Sequence, residues 1–370
     1  MLSFWEKNSL IKYDYIVIGA GITGLSVACE LKEKHPHKQI LVLEKGLLPT
    51  GASTKNAGFA CVGSLSENLH DINLMGEENL LQLVENRWMG LQLLRARLGD
   101  HAIGFESHGG YELILKNQDD AFVSQLPQMN ALLYPLFKKN VFSFRPNDIA
   151  KFGFAQNQVQ SLVFNEVEGQ LDTGKMMQEL WLYTQKLGVK IITGAEVLSI
   201  QENSNHVMID LLDMAFYAQQ IFICTNAFTQ KLVSGIELNP GRGQVIATAP
   251  IPNLKVKGIF FFDDGYYYFK NFENRIIFGG GRNLDFKGEE TAAFGSNQKI
   301  LDQLEVYLKT IILPNTAFEI EYKWSGIMAF GKDKLPLVKR LSERQFMGVR
   351  LNGMGVALGS KIAKDLVDLM

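Results

Sequence analysis

Cysteine is scarce in this 370-residue chain: Cys29, Cys61 and Cys224 are the only three, far apart and without a C-x-x-C spacing. An odd, dispersed set supports neither a disulfide framework nor a zinc site. Cys29 falls in a helical pattern and Cys224 at the end of an apolar run, so both read as small core residues. Charge excess is missing too. The 37 Lys and Arg against 39 Asp and Glu leave a formal charge of −2, which offers no cationic face to a nucleic-acid backbone. No apolar stretch approaches the ~18 residues of a membrane span, so no transmembrane segment is expected. The leader Met1 to Lys12 contains Trp5, Glu6, Lys7 and Asn8 and lacks the apolar core of a secretory signal. A reducing cytoplasm fits these absences. There is no internal repeat or low-complexity tract, and the six histidines suggest no catalytic triad. What remains is ordinary globular composition, 46% hydrophobic and 21% charged, in a chain long enough for two domains.

The element pattern begins with Tyr13-Asp14-Tyr15-Ile16-Val17-Ile18, a short β-branched run that reads as a buried parallel strand. Ile22 to Lys34 has helical spacing and is stopped by His35-Pro36. Gln39 to Leu43 is a second strand, so the chain opens with a β-α-β unit. Glu77 to Leu98 reads as a long amphipathic helix, Tyr111 to Lys116 as a strand and Asp119 to Leu133 as a helix. Asp172 starts a helix over 173–187 that Gly188 ends. Strands follow at 189–192, 197–200, 207–211 and 218–224. From 244 to 281 the pattern is nearly all β. A helix over 298–312, strands at 319–324 and 346–349 and a terminal helix over 356–370 complete the chain. The fold class is therefore α/β: a Rossmann-like dinucleotide-binding domain of discontinuous segments (10–75, 150–240 and 324–370) with a β-rich α+β substrate domain (76–149 and 241–323).

Gly19-Ala20-Gly21-Ile22-Thr23-Gly24 is a G-x-G-x-x-G that follows a strand and opens a helix. Glu44, about 20 residues further on, ends the next strand, which is the context the dinucleotide fingerprint requires. The glycines let the backbone approach a pyrophosphate, and the helix N-terminus, with Ile22 and Thr23 in its first turn, presents free N–H groups. Glu44 accepts from a ribose hydroxyl, with Lys45 beside it. The spacing does not separate FAD from NAD.

With these motifs the sequence resembles the FAD-dependent oxidoreductases of the D-amino-acid oxidase type, glycine oxidase and sarcosine oxidase among them, over essentially its whole length. Gly51-Ala52-Ser53-Thr54-Lys55-Asn56-Ala57-Gly58 is similar to that family's small-residue loop beside the flavin. Gly169-Gln170-Leu171-Asp172 and Gly241-Arg242-Gly243-Gln244 resemble its internal boundaries. Trp324-Ser325-Gly326 with Asp333 and Pro336 resembles its W-x-G…D…P signature, and Asn352-Gly353-Met354-Gly355 the loop closing the FAD site. The resemblance implies FAD contacts from Gly326, Asn352, Gly353, Met354, Gly355 and Val356, and from Val197, Thr225 and Asn226. Backbone N–H groups of Met354 and Gly355 would then face the reduced flavin's negative charge. Ser53, Thr54 and Asn56 either bond the cofactor or close local turns. Lys55 either sits over the flavin or points to solvent. No cysteine follows Cys224, so FAD is expected without a covalent link.

The activity implied is oxidation of a C–N bond in a small amine or amino acid, with oxygen or a quinone as electron acceptor. An amino-acid donor needs a cation for its carboxylate. Here the chain departs from the pattern: Met328 stands where glycine-oxidase-like members place an arginine. Arg282 is the first substitute and Arg350 the second, while Lys332 and Lys334 read as solvated. Tyr266 and Tyr268 share one strand face, opposite Tyr267, so Tyr268 is a candidate donor in a substrate pocket. Oxidation of a 2-hydroxy acid, or flavin binding with little or no catalysis, remain alternatives.

Overall fold

The computed structural model describes residues 3–370; Met1 and Leu2 of the leader lie outside them. In chain order the strands are β1 (Lys12–Ile18), β2 (Ile40–Leu43), β3 (Phe59–Ala60), β4 (Gly110–Leu115), β5 (Phe142–Phe144), β6 (Val159–Asn165), β7 (Gly169–Gln170), β8 (Lys190–Ile192), β9 (Ser199–Glu202), β10 (Val207–Asp210), β11 (Ala215–Ile223), β12 (Asn239–Thr248), β13 (Ile259–Phe262), β14 (Tyr267–Phe272), β15 (Arg275–Gly280), β16 (Ile320–Phe330), β17 (Leu337–Arg340) and β18 (Gln345–Val349). The α-helices are α1 (Ile22–Lys34), α2 (Leu65–Met75), α3 (Glu77–Leu98), α4 (Leu126–Phe137), α5 (Ile149–Phe152), α6 (Thr173–Lys186), α7 (Phe286–Glu289), α8 (Gln298–Tyr307) and α9 (Gly355–Asp368). Among the described residues no helix is long and apolar enough to cross a membrane.

The first sheet runs β17-β18-β11-β1-β2-β8, with the β9–β10 hairpin attached to β11. β1 pairs in parallel with both β2 and β11. Such a central strand is buried on both faces, and β1 is apolar from Tyr15 to Ile18. Tyr15 and Val17 point into one core with residues of α1, α3, α6 and α9. Ile16 and Ile18 point into another, with Val207 and Ile209 of the hairpin, Phe216 of β11, and Ile327 and Ala329 of β16. Asp172 accepts from Lys175 N–H at the start of α6, and Gly188 follows the helix at φ +85°. This is the cap pair expected from the sequence.

The second sheet runs β16-β12-β15-β14-β13-β4-β6-β5. Its far face carries an aromatic core, with Phe260, Phe262, Tyr267, Phe269 and Phe278 at most 1% exposed, closed by α8. Its near face looks toward the C-terminal ends of β1, β2 and β11.

Four local expectations change. α3, expected in the substrate domain, packs on α9 in the core behind the first sheet. β6 lies in the second sheet, paired with β4 and β5, so the start of the 150–240 segment joins the β-rich layer. β16 pairs with β12 along almost its whole length, so Trp324-Ser325-Gly326 is mid-strand in that layer rather than at the start of a nucleotide-binding segment. The helix expected over 119–133 is a 3-10 turn, Ala121–Gln125, followed by α4. Pro127, which has no N–H to donate, sits in the first turn of α4 and marks the break.

Candidate functional site

A cleft of about 670 Å³ lies between the two sheets, within the ~300–1,000 Å³ typical of small-molecule sites. Its floor is the C-terminal edge of the parallel strands, where ligands of doubly wound sheets bind. Ile18 ends β1 and Gly19 follows it, Leu43 ends β2 and Glu44 follows it, and Cys224 to Phe228 follow β11.

The floor is shaped for a phosphate and a ribose. Gly19 has φ +103°, and a Cβ there would stand 2.9 Å from the Cys224 carbonyl. A Cβ on Gly24 would stand 1.9 Å from the Gly19 carbonyl, so only glycine lets α1 start this close to β1. Gly24 supports the loop from behind and does not line the cleft; Gly19, Gly21, Ile22 and Thr23 do. α1 has no cap of its own. Its Ile22 N–H donates to Ser53 Oγ from across the loop at 2.9 Å, which shows the first turn reaching for an acceptor. Glu44 is 6% exposed. One carboxylate oxygen accepts from Ala20 N–H and the other from Gly46 N–H, both at 3.0 Å. Each oxygen keeps a lone pair for a hydroxyl in the cleft. Lys45, whose Nζ lies 3.8 Å from the Phe228 ring centroid, and Val197, Thr225 and Asn226 line the same end.

The 51–58 loop runs along one wall. Thr54 Oγ1 donates to the Pro49 carbonyl at 2.7 Å, and Asn56 Nδ2 to the Ser53 carbonyl at 2.6 Å. These two side chains close local turns. Thr54 and Gly58 do not reach the cleft, whereas Ser53, Lys55, Asn56 and Ala57 line it. Trp324 Nε1–H donates to the Lys55 carbonyl at 3.0 Å. A Cβ on Gly326 would meet the Lys55 stem at 2.9 Å. The W-x-G sequence therefore seats this loop against β16.

The opposite wall is the loop before α9. Asn352 and Gly353 have φ +50° and +82°, and Asn352, Gly353, Met354, Gly355 and Val356 all line the cleft. Met354 N–H is committed to the Leu351 carbonyl at 2.8 Å, which corrects its expected role. No side chain caps α9. Its free donors are those of the first helical turn, from Gly355 and Val356 onward.

Of the two substitute arginines, only Arg282 reaches the site. It lines the cleft, its guanidinium lies 4.0 Å from the Phe330 ring centroid and 5.2 Å from that of Phe286, and its buried Nε has no hydrogen-bond partner. No carboxylate pairs with it among the described residues, and burial pulls its pKa below the ordinary arginine value. Arg350 is excluded. At φ +64° it turns away and donates to Asp333 at 2.6 Å and twice to the Leu335 carbonyl, at 3.0 and 2.9 Å. Tyr266 and Tyr268 face the cleft and Tyr267 the core, as alternation requires. Burial pushes the Tyr268 phenol up to about 12, so it stays a proton donor at neutral pH.

The sequence reading missed the rest of the wall. Phe59, Phe261, Phe286 and Phe330 line it, as do Glu67, His70 and Leu74 of α2. Phe261 was legible from alternation between the two core residues Phe260 and Phe262; α2 had only Ser64 as a start signal. Lys334 is not a free surface lysine: its Nζ lies 2.8 Å from Asp71 and 3.2 Å from Glu67. Burial alone would lower its pKa, but those two carboxylates outweigh it and hold the ammonium above its ordinary value. Lys332, 88% exposed in its side chain, is solvated as expected.

A family model described as FAD dependent oxidoreductase (DAO) matches residues 14–369. Among curated proteins, a probable oxidoreductase, OrdL, of Haemophilus influenzae is 23% identical over 363 residues, spanning 93% of this chain and 80% of its own. The bifunctional protein ThiO/ThiG of a Synechocystis strain is 24% identical over 243 residues, spanning 63% of this chain and 33% of its own. Among solved structures, L-proline dehydrogenase from P. horikoshii has a TM-score of 0.79 at 18% identity, covering 97% of this chain and 93% of that one. Glycine oxidase from Geobacillus kaustophilus has a TM-score of 0.76 at 19% identity, covering 97% and 94%. Both structures share the fold.

Proposed function

We propose, from the premise that this chain belongs to the family of FAD-dependent oxidoreductases and takes FAD as its cofactor, that it oxidises the C–N bond of an amino acid whose carboxylate pairs with Arg282. The observation that carries this reading is the unpartnered, partly desolvated guanidinium in the wall of the cleft. A partly buried cation without a counter-ion is costly in the free protein, and a bidentate carboxylate satisfies it. The names of the solved neighbours, a proline dehydrogenase and a glycine oxidase, agree with such a donor.

When bound, FAD would supply a two-electron acceptor for oxidation of the carbon bearing the amine, so that the donor would leave as an imine for water to hydrolyse. The chain's own part is binding and orientation. The first turn of α1 and Glu44 hold the pyrophosphate and ribose. The free N–H groups opening α9 favour negative charge beside them. Arg282 fixes the carboxylate, and the Tyr268 hydroxyl offers a neutral hydrogen bond. The aromatic wall keeps bulk water from the donor. Cys61 and Cys224 line the cleft, and burial raises both thiols, which disfavours the thiolate that a covalent link to FAD would need.

The test is anaerobic mixing of the yellow holoprotein with matched amino acids, amines and 2-hydroxy acids while the flavin band is followed. Amino acids are expected to bleach it. Bleaching by 2-hydroxy acids alone, or by dithionite alone, refutes the reading.

A further inference from the structure

We propose that the donor carries an aromatic side chain, which lies against an aromatic wall built by Phe59, Phe261 and Tyr268. The inference rests on the amino-acid reading above and adds the chemical class of the side chain.

The wall follows from strand register. Phe261, Tyr268, Gly279, Val245 and Trp324 stand directly opposite one another across β13, β14, β15, β12 and β16. Directly opposed residues share a face, here the near face of the second sheet, while Phe260 and Phe262 fill the far core. Gly279 makes room for the tyrosine. A Cβ there would fall 2.7–2.8 Å from the Oη, Cε2 and Cζ atoms of Tyr268. The tyrosine ring therefore lies over the β15 backbone. Phe59 comes in from β3 and packs at an angle on both neighbours, with ring centroids 5.2 Å from Phe261 at 57° and 5.4 Å from Tyr268 at 81°.

The carboxylate anchor is built the same way. A Cβ on Gly241 would lie 2.4 and 2.7 Å from the Phe330 ring and 3.0 Å from Arg282 Nη1. The phenyl ring and guanidinium thus lie against the β12 backbone, stacked at 4.0 Å. The cleft accordingly offers a cation for the carboxylate and an aromatic wall for the side chain. A glycine- or alanine-sized donor satisfies Arg282 but leaves those rings uncovered. An aromatic side chain removes them from water and gains offset or edge-to-face contacts.

The test measures anaerobic reduction of the holoenzyme by glycine, alanine, leucine, phenylalanine and tryptophan, each chiral donor as separate enantiomers. Reduction efficiency is expected to rise at least about tenfold from alanine to the better enantiomer of phenylalanine, the gain from partly burying a benzyl group. Gly279→Ala, which drives the Tyr268 ring into the cleft, is expected to shrink that ratio several-fold. Equal or better reduction by glycine or alanine overturns the inference, as does a Gly279→Ala protein whose alanine-to-phenylalanine ratio is unchanged. If the small amino acids win and Arg282→Met still weakens them, the amino-acid reading stands and only the side-chain class falls. If 2-hydroxy acids alone reduce the flavin, both fall.

Discussion

Replacing Arg282 by methionine separates a residue kept for the ligand from one kept for the fold. In the free protein the guanidinium leaves its buried Nε without a partner, a cost of ~1–3 kcal/mol. Against that stand its contacts with Phe330 and Phe286 at 4.0 and 5.2 Å, worth ~0.5–2 kcal/mol for such cation–π pairs. The two nearly cancel, and a methionine keeps much of the apolar contact. Stability is therefore expected to change by no more than about 1 kcal/mol, a Tm shift of a few degrees at most in a chain of this size. Donor binding is different. Losing one partner of a desolvated charge pair costs ~2–5 kcal/mol, or about 30- to several-thousand-fold in the Kd for an amino acid. The assay is paired: thermal unfolding of the holoprotein, and anaerobic flavin bleaching titrated with an amino acid and with the amine lacking its carboxylate. The acid is expected to lose the full factor and the amine almost none. Equal losses for both donors, or unchanged affinity for the acid, would refute the assignment of Arg282.

Gly21→Val is expected to abolish FAD retention while the apoprotein still folds, because the added Cβ meets only the flexible Ser53 hydroxyl, at 2.8 Å; Gly24→Val, against a carbonyl at 1.9 Å, should also lower Tm, and flavin content with circular dichroism distinguishes them. Glu168, 1% exposed, is pushed up from its ordinary 4.5 to about 8 by burial, against the opposing Gly63 and Val62 N–H bonds. The native state thus holds a proton that the unfolded chain releases near pH 4.5, and this contribution to stability is lost as pH rises from there to about 8. Glu168→Gln should match the native protein near pH 4 and exceed it at pH 9 in urea melts; parallel curves would contradict this. Lys334→Met leaves the fully buried Asp71 without its cation and is expected to cost ~2–3 kcal/mol, since breaking a buried pair costs ~3–5 and this lysine is partly exposed. Asp71→Asn in the same chain should restore most of it, as read by denaturant unfolding.

Much of the floor of the cleft was readable because its chemistry is local. A glycine at φ +103°, a helix start and an acid at the next strand end occupy one β-α-β stretch, and each leaves a mark at fixed spacing. Arg282 was reached by elimination after Met328, and its choice over Arg350 depended on geometry: whether an arginine faces a cleft or the Asp333 and Leu335 of a neighbouring turn is decided by a left-handed φ that no residue pattern announces. The aromatic wall was half legible. Alternation sent Tyr266 and Tyr268 to one face, but placing Phe59 on Tyr268 needs β3, a two-residue strand paired to β7, and such short strands carry no period. Lys334 looked solvated because its partners lie on α2, hundreds of residues earlier in the chain, and long-range ion pairs have no sequence signature. Trp324 was recognised by resemblance; its bond to the Lys55 carbonyl gives the physical reason for it.

The seam between α1 and α9, where Ser26 and Ser360 hydroxyls meet at 3.3 Å across 334 positions of chain, has a temporal meaning. During synthesis at ~5–20 residues per second, the glycine turn leaves the ribosome roughly 20–60 s before the segment that completes its wall. Throughout that interval the nascent polypeptide exposes half a crevice. Residues 351–357 supply one wall of the cleft, so chains truncated before α9 should be colourless.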